Sequence, residues 1–162
     1  MFGKDMFQPQ DIKERVKTFE DACEVLGEEH PYVQEYRGVA NINFDFTQDI
    51  IAYLKLRIIC EALNDGWKPT FPDGECRYYP WFYIYTKEEY EKLAEDEKKA
   101  CRVVGRSSSI SSVFGGVALA NAFSAPSLSY SYCGSRLAFK TRELAEYCGK
   151  QFIDTWADFL FA

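Results

Sequence analysis

The chain has 162 residues, a net charge of −6 and an aromatic content of 17%. That length suffices for one domain that buries roughly two-thirds of its unfolded surface without cross-links. The acidic balance, with Lys and Arg interleaved among Asp and Glu, argues against a nucleic-acid partner, and no stretch reaches the roughly 18 apolar residues that a membrane span needs.

The N-terminal stretch MFGKDMFQPQDIKERVK lacks the apolar core of a signal peptide, which predicts synthesis in the cytoplasm, with a phage particle assembled there as a route outward. The first third, 1–66, reads as helical. Thr18 can cap a helix whose first turn carries Glu20 and Asp21. Its apolar stripe is Phe19, Ala22, Cys23, Val25 and Leu26, and Gly27 stops it. Pro31 to Asp45 reads as a connector rich in Gly, Asn and aromatics. After Thr47, Ile50, Ile51, Leu54, Ile58 and Leu63 recur at helical spacing until Asn64-Asp65-Gly66 ends the run.

From Trp67 to Gly74 two prolines and a glycine predict a turn. It leads into CRYYPWFYIY, Cys76 to Tyr85, a β-prone aromatic run in which Pro80 predicts an edge strand or a bulge. Thr86 and Glu89 form a capping box for one helix from Lys87 to about Lys99, whose mixed charges read as a solvated face. A short strand follows at Arg102 to Gly105. Ser107 to Gly134 then contains no Asp, Glu, Lys, Arg, His, Gln, Trp or Met, so it is no ordinary solvated linker. Within it, Gly116 to Asn121 is a strand candidate, and Ser135 to Lys140 is another with alternating faces. Thr141 caps a last helix, 141–160, with Leu144, Tyr147, Cys148, Phe152, Trp156 and Phe159 as its stripe.

The catalytic inventory is thin and predicts a protein that is not an enzyme and uses no cofactor or metal. His30 is the only histidine and sits in a polar turn before Pro31, where it reads as a surface residue. The six cysteines, Cys23, Cys60, Cys76, Cys101, Cys133 and Cys148, form no CxxC pair and read as mostly reduced and buried. Gly115-Gly116 lacks the rest of a phosphate-binding motif and reads as permission for a bulge or tight turn. SSSISS lacks the GxSxG spacing and a partner base. The carboxylates show no EF-hand pattern, which leaves calcium undetermined.

One further pattern is compositional. Randomising the adenines of AAC or AAT codons never yields Lys, Glu, Gln, Trp or Met, the types missing from Ser107 to Gly134, although a buried small-residue strand would exclude most of them too. Gly116 to Phe139, GVALANAFSAPSLSYSYCGSRLAF, resembles the variable-region tail of C-type-lectin-like proteins diversified by retroelements, common in phage adhesins. The matching positions are Gly116, Val117, Ala118, Asn121, Ala125, Pro126, Ser127, Gly134, Arg136 and Ala138. The resemblance implies constant framework strands with ligand-contacting side chains between them. By position, these are Ser107, Ser109, Ile110, Ser111, Val113, Phe114, Phe123, Leu128, Tyr130 and Tyr132. It implies a structural role for Arg136. The whole chain, through CRYYPWF and GSRLAFKTRELAEYCGKQF, is also similar to small uncharacterised proteins of Bacteroides-type bacteria and their phages, which implies a phage or prophage origin.

Together these readings predict a single α+β domain: helices up to 66, then a small, mainly antiparallel sheet over 67–162 closed by the C-terminal helix. The predicted function is binding of a protein or glycan on a host surface through the uncharged segment. The alternative is an intracellular phage protein that binds a host factor or an assembly component, with the same segment buried at an interface or in a homo-oligomer.

Overall fold

A computed structural model of the chain describes residues 11–42, 48–70, 75–107, 114–126 and 137–161. Among them are eight helices and one three-stranded antiparallel sheet, an α+β arrangement. In chain order the elements are α1 (Ile12–Arg15), α2 (Phe19–Leu26), α3 (Pro31–Ala40), α4 (Gln48–Asn64), β1 (Cys76–Thr86), α5 (Lys87–Lys92), α6 (Glu95–Ala100), β2 (Val104–Ser107), β3 (Phe114–Pro126), α7 (Arg142–Gln151) and α8 (Ile153–Leu160).

The helix starts follow local chemistry. The Thr18 hydroxyl accepts from the Asp21 N–H, and Asp21 reaches back to the Thr18 amide at 2.8 Å. Thr86 and Glu89 do the same at α5, and Thr141 accepts from Leu144 at α7. Gly27 takes φ +86, and Asp65 and Gly66 take φ values of 47 and 80 after α4, backbone conformations suited to helix stops. The predicted connector Pro31–Asp45 is corrected over most of its length, because Pro31–Ala40 is helical. Pro31 stands at the first turn, where its missing N–H costs nothing, and the imidazole Nδ1 of His30 accepts from the Tyr32 N–H. His30 is thus a half-buried helix cap rather than a free surface histidine.

The predicted helix Lys87–Lys99 is two. Leu93 turns extended, and Glu97 bonds back to the Ala94 N–H, giving a second start with Glu95, Asp96 and Glu97 in its first turn. The closing helix also breaks, at Phe152, although Phe152 N–H still donates to Cys148 and Trp156 N–H to Phe152. Of the described cysteines Cys23, Cys60 and Cys148 are buried, but Cys76 and Cys101 are exposed, so burial holds only for the helical ones.

The sheet order is β1-β3-β2. The predicted strand Arg102–Gly105 begins two residues later, at Val104, because Cys101 and Arg102 form the turn after α6, with Arg102 at φ 50. The predicted fourth strand, Ser135–Lys140, does not form over its described residues, 137–140. Among its described residues only Phe139 pairs, in a single bridge with Tyr78 on the outer edge of β1. The bulge lies between Trp81 and Phe82, where β3 gains Ala120 between Leu119 and Asn121, and not at Gly115-Gly116.

One face of the sheet packs on α7 and α8. The Phe82 ring lies 5.2 Å from that of Trp156, and Val117 joins Ile153 and Ala157. Gly149 lets α7 approach closely: a Cβ there would meet Leu119 at 2.5 Å and Pro80 at 2.9 Å. Behind these helices lies α4, whose residues from Leu56 to Asn64, except Glu61, are buried, and α2 and α3 cover its far side. The buried Arg57 stacks 4.0 Å over Tyr32 and bonds Glu35 at 2.7 Å, which ties α3 to α4.

The C-terminal end of α4 is fixed by Asn64. Its Nδ2 donates to the Ala138 carbonyl at 2.8 Å, and its Oδ1 accepts from the Lys140 N–H at 3.1 Å. These bonds hold the segment that carries Leu137 and Phe139 into the core. Asn64→Ala leaves both backbone groups unpaired, and the unfolding free energy should drop by about 1–3 kcal/mol in urea titration; an unchanged midpoint would show that water replaces the side chain. The caps predict a pH dependence. Hydrogen bonds from the Lys17 and Thr18 amides hold Asp21 below the ordinary carboxylate range, and the Thr86 amide, then its hydroxyl, do so for Glu89. The folded state therefore binds fewer protons, so this stabilisation is present above the ordinary carboxylate pKa and is lost as pH falls through the lowered values. Acid titration followed by circular dichroism should cost the Asp21→Asn, Glu89→Gln double variant less stability than the wild type.

Candidate functional site

Alternation along β1 sorts its side chains. Pro80 and Phe82 face the helices, whereas Tyr79, Trp81, Tyr83 and Tyr85 line the opposite face. Across the ladder Tyr79 pairs with Phe123, Trp81 with Asn121, Tyr83 with Ala118 and Tyr85 with Gly116. The Phe123 ring lies 5.8 Å from Trp81 and 6.0 Å from Tyr79, and the rings of Tyr83 and Tyr85 are 6.4 Å apart.

Among the described residues, α5 covers one end of this face. Tyr90 of α5 lies over Gly105 and Gly116 and meets Phe114 edge-on at 5.2 Å. Towards the other end the aromatics stand open: Trp81 is 47% exposed, Tyr83 60% and Phe123 53%. Tyr79, by contrast, is buried. Burial raises the Tyr85 phenol above its ordinary value, and the nearby Cys101 thiol and Tyr83 phenol push the same way. Its hydroxyl thus remains protonated at neutral pH. The open patch is aromatic and uncharged, a surface that can offer ring area and hydroxyl hydrogen bonds.

Of the sequence-predicted contact residues, Ser107 is exposed at the end of β2, opposite Phe114, which is half buried under Tyr90. Phe123 stands nine positions further along β3, roughly 30 Å away at about 3.3 Å per residue. The structure therefore joins Phe123 to Trp81, and does not join it to Ser107 or Phe114. Ser109, Ile110, Ser111, Val113, Leu128, Tyr130 and Tyr132 lie outside the described residues, as do Gly134 and Arg136. Trp81 and Tyr83 were missed by sequence reasoning. The signal was there in the alternation of Tyr79, Trp81, Tyr83 and Tyr85, but choosing the face that stays open requires knowing where the helices dock.

The described residues bring together no group of His, Cys, Asp and Glu able to hold a metal ion. The paired carboxylates Asp154 and Asp158 close on Arg106, at 2.6 and 2.7 Å. Partial burial works against the Arg106 charge, but its hydrogen bonds to Asp158 and Asp154 outweigh this and hold the guanidinium more firmly protonated. This cluster ties β2 to α8. Compared with known proteins, the chain matches no family model, no curated protein and no solved structure.

The glycines beneath Tyr90 set the covered end of the face. A Cβ on Gly116 would lie 2.5 Å from the Tyr90 ring and one on Gly105 3.0 Å from it. Gly116→Ala should therefore destabilise the fold by about 1–3 kcal/mol through overpacking. In the Tyr90→Ala background the same change should cost much less, and a double-mutant cycle on thermal unfolding measures the difference; additive effects would mean that Tyr90 does not press on Gly116.

Proposed function

We propose that this chain is a non-catalytic binding protein, phage or prophage encoded, that recognises a protein or glycan on a host surface. The open sheet face and the uncharged segments flanking β3 would form its contact surface. The observation that carries this reading is the exposure of Trp81, Tyr83 and Phe123 side by side on one face. Rigid aromatic rings bind at low entropy cost, and single-chain proteins seldom leave clusters of them open without use.

In this reading the relation to C-type-lectin-like variable proteins of diversity-generating retroelements is confined to Gly116–Phe139. There β3 serves as a framework strand, with Val117, Ala118 and Ala122 buried in it. The presented residues are Phe123 on β3 itself and those before and after the strand: Ser107, Ser109, Ile110, Ser111, Val113, Leu128, Tyr130 and Tyr132. Phe114, under Tyr90, belongs to the frame rather than to the contact surface. The alternative, an assembly component or a binder of a host factor, draws support from a different feature, the outer edge of β1 beyond Tyr78, which pairs with no strand among the described residues.

Two measurements test the reading. Labelled protein applied to whole bacterial cells and to a glycan array should lose about tenfold or more in binding on Trp81→Ala or Phe123→Ala, with circular dichroism unchanged; equal binding by both variants sinks the sheet face as the contact surface. Sequencing the locus from many related phages or strains should show variation concentrated in adenine-derived codons of 107–134, on a constant Gly116, Gly134 and Arg136, whereas uniform drift across the gene removes the diversified reading.

A further inference from the structure

Among the described residues β1 is an edge strand whose outer edge is paired at one point. Tyr78 exchanges both backbone hydrogen bonds with Phe139, at 3.0 and 2.7 Å. Antiparallel alternation then turns the backbone groups of Pro80, Phe82, Ile84 and Thr86 outward as well, and those of Trp81, Tyr83 and Tyr85 towards β3. Among the described residues, no backbone group pairs with Phe82 or Ile84 on that side. The edge carries a proline at Pro80 and a bulge beside it, but it lacks protection by charge: from Tyr78 to Thr86 the strand has no charged residue, in a chain where 27% of residues are charged. Beside it runs an apolar groove of about 300 Å³, lined by Pro80, Phe82, Ile84, Phe159 and Leu160, with Trp81 and Tyr79 at its rim. Trp81, Tyr83, Ile84 and Leu160, which flank this edge, are four of the exposed large apolar side chains of the molecule.

We infer that the occupant of this edge is a second copy of the same chain, paired antiparallel about a two-fold axis at Tyr83. The argument is self-complementarity. In this register Phe82 of one copy faces Ile84 of the other, twice over, and each pair exchanges both backbone hydrogen bonds, so every free N–H and C=O of Phe82 and Ile84 is used. Pro80 falls opposite Thr86, where no free N–H is available on either side, and the Pro80 carbonyl stays open to water. Proline has no N–H, the Thr86 N–H is already held by Glu89 at 2.8 Å, and the Thr86 carbonyl begins the hydrogen-bond ladder of α5. Centring the axis on Phe82 instead would lay Thr86 and the start of α5 opposite Tyr78, whose outward groups Phe139 already holds. Side chains agree with the register: Tyr83 meets Tyr83 and Trp81 meets Tyr85 on the open face, and Phe82 meets Ile84 on the helix face.

Such a pairing merges two three-stranded sheets into one and sets two open aromatic faces side by side. It goes beyond the binding role and shares Trp81 and Tyr83 with the proposed contact surface, whereas Phe123 lies on β3, away from the pairing edge, and reports on binding alone. A short strand edge alone falls below the roughly 1,200 Å² of a stable interface, which makes the dimer reversible and concentration-dependent. Each copy carries a net charge of −6, so added salt should strengthen association by screening.

Sedimentation equilibrium of the intact chain over a wide concentration range tests the inference. The wild type should move from 18.7 kDa towards twice that mass, more readily at high salt. Ile84→Pro, which removes an outward N–H without touching the β1–β3 ladder, and Tyr83→Lys, which sets two like charges at the axis, should remain monomeric with wild-type circular dichroism. A wild type that stays monomeric at its solubility limit overturns the proposal, and so does a dimer that survives both substitutions. The register has its own readout. In a background with Cys76→Ser, Cys101→Ser and Cys133→Ser, Tyr83→Cys should form an intermolecular disulfide under mild oxidation and Tyr85→Cys should not, because only position 83 meets itself; the reverse result overturns the two-fold at Tyr83. If dimerisation fails while Phe123→Ala still weakens cell or glycan binding, the edge pairing alone is lost.

Discussion

A three-stranded sheet cannot make a core by itself, and this fold depends on the burial of one ring, that of Trp156, between the sheet and α4. Trp156 is fully buried, with Phe82 of β1 on one side and Phe159 at its edge, and it belongs to the same cluster as Leu56, Ile59 and Leu63 of α4. Removing so large a side chain from such a site generally costs about 3–5 kcal/mol, a large share of a small domain's net stability. Around this contact the other elements are arranged in depth: sheet, then α7 and α8, then α4, then α2 and α3.

That arrangement has a consequence for the opposite face. Helices α7 and α8, with α4 behind them, lie on one side, whereas on the other Tyr90 of α5 and Val103 cover Gly116 at one end. An aromatic strand alternating Tyr79, Trp81, Tyr83 and Tyr85 against Pro80, Phe82 and Ile84 has apolar residues on both faces, as if it were to be buried on both. Only one of them is covered along its length. The mismatch between a two-sided apolar strand and a one-sided helical layer produces both the open aromatic patch and the uncharged free edge.

What could be read from the sequence divides along the range of the forces involved. Capping boxes at Thr18 and Thr86, the cap at Thr141, the α4 stop at Asn64-Asp65-Gly66 and the edge position of Pro80 depend on neighbours within a few residues, and the structure has them where the sequence predicts them. Interruptions at Leu93 and Phe152 were not read from the sequence, because neither is marked by a Gly or Pro, although Glu97, three residues after Ala94, is the local cap that starts α6. Helix α3 was hidden by its Gly38 and by a Pro31 that looked like a breaker but stands at the first turn. SRLAFK alternates like a strand, yet its described part is held by Asn64 and one bridge to Tyr78, because α4 and not a strand neighbour occupies the space beside it.

The candidate surface was legible only in part for a related reason. The absence of charged and long polar residues from 107–134 has a packing source over part of its length, and the sheet supplies it. β3 is the central strand, with Gly115 and Gly116 under the rings of Phe161 and Tyr90, and with Val117, Ala118 and Ala122 buried; Lys, Glu, Gln, Met or Trp would not fit there whatever the codon history. Packing therefore accounts for the composition at Gly115, Gly116, Val117, Ala118 and Ala122, and those positions carry no information about diversification. Asn121 and Phe123 are different, since both are exposed on β3 and packing forbids neither a lysine nor a glutamate there. The compositional argument for a variable surface thus rests on these two and on the residues flanking the strand, and codon variation at the buried positions would count against a framework role for β3 rather than for a binding role of the segment.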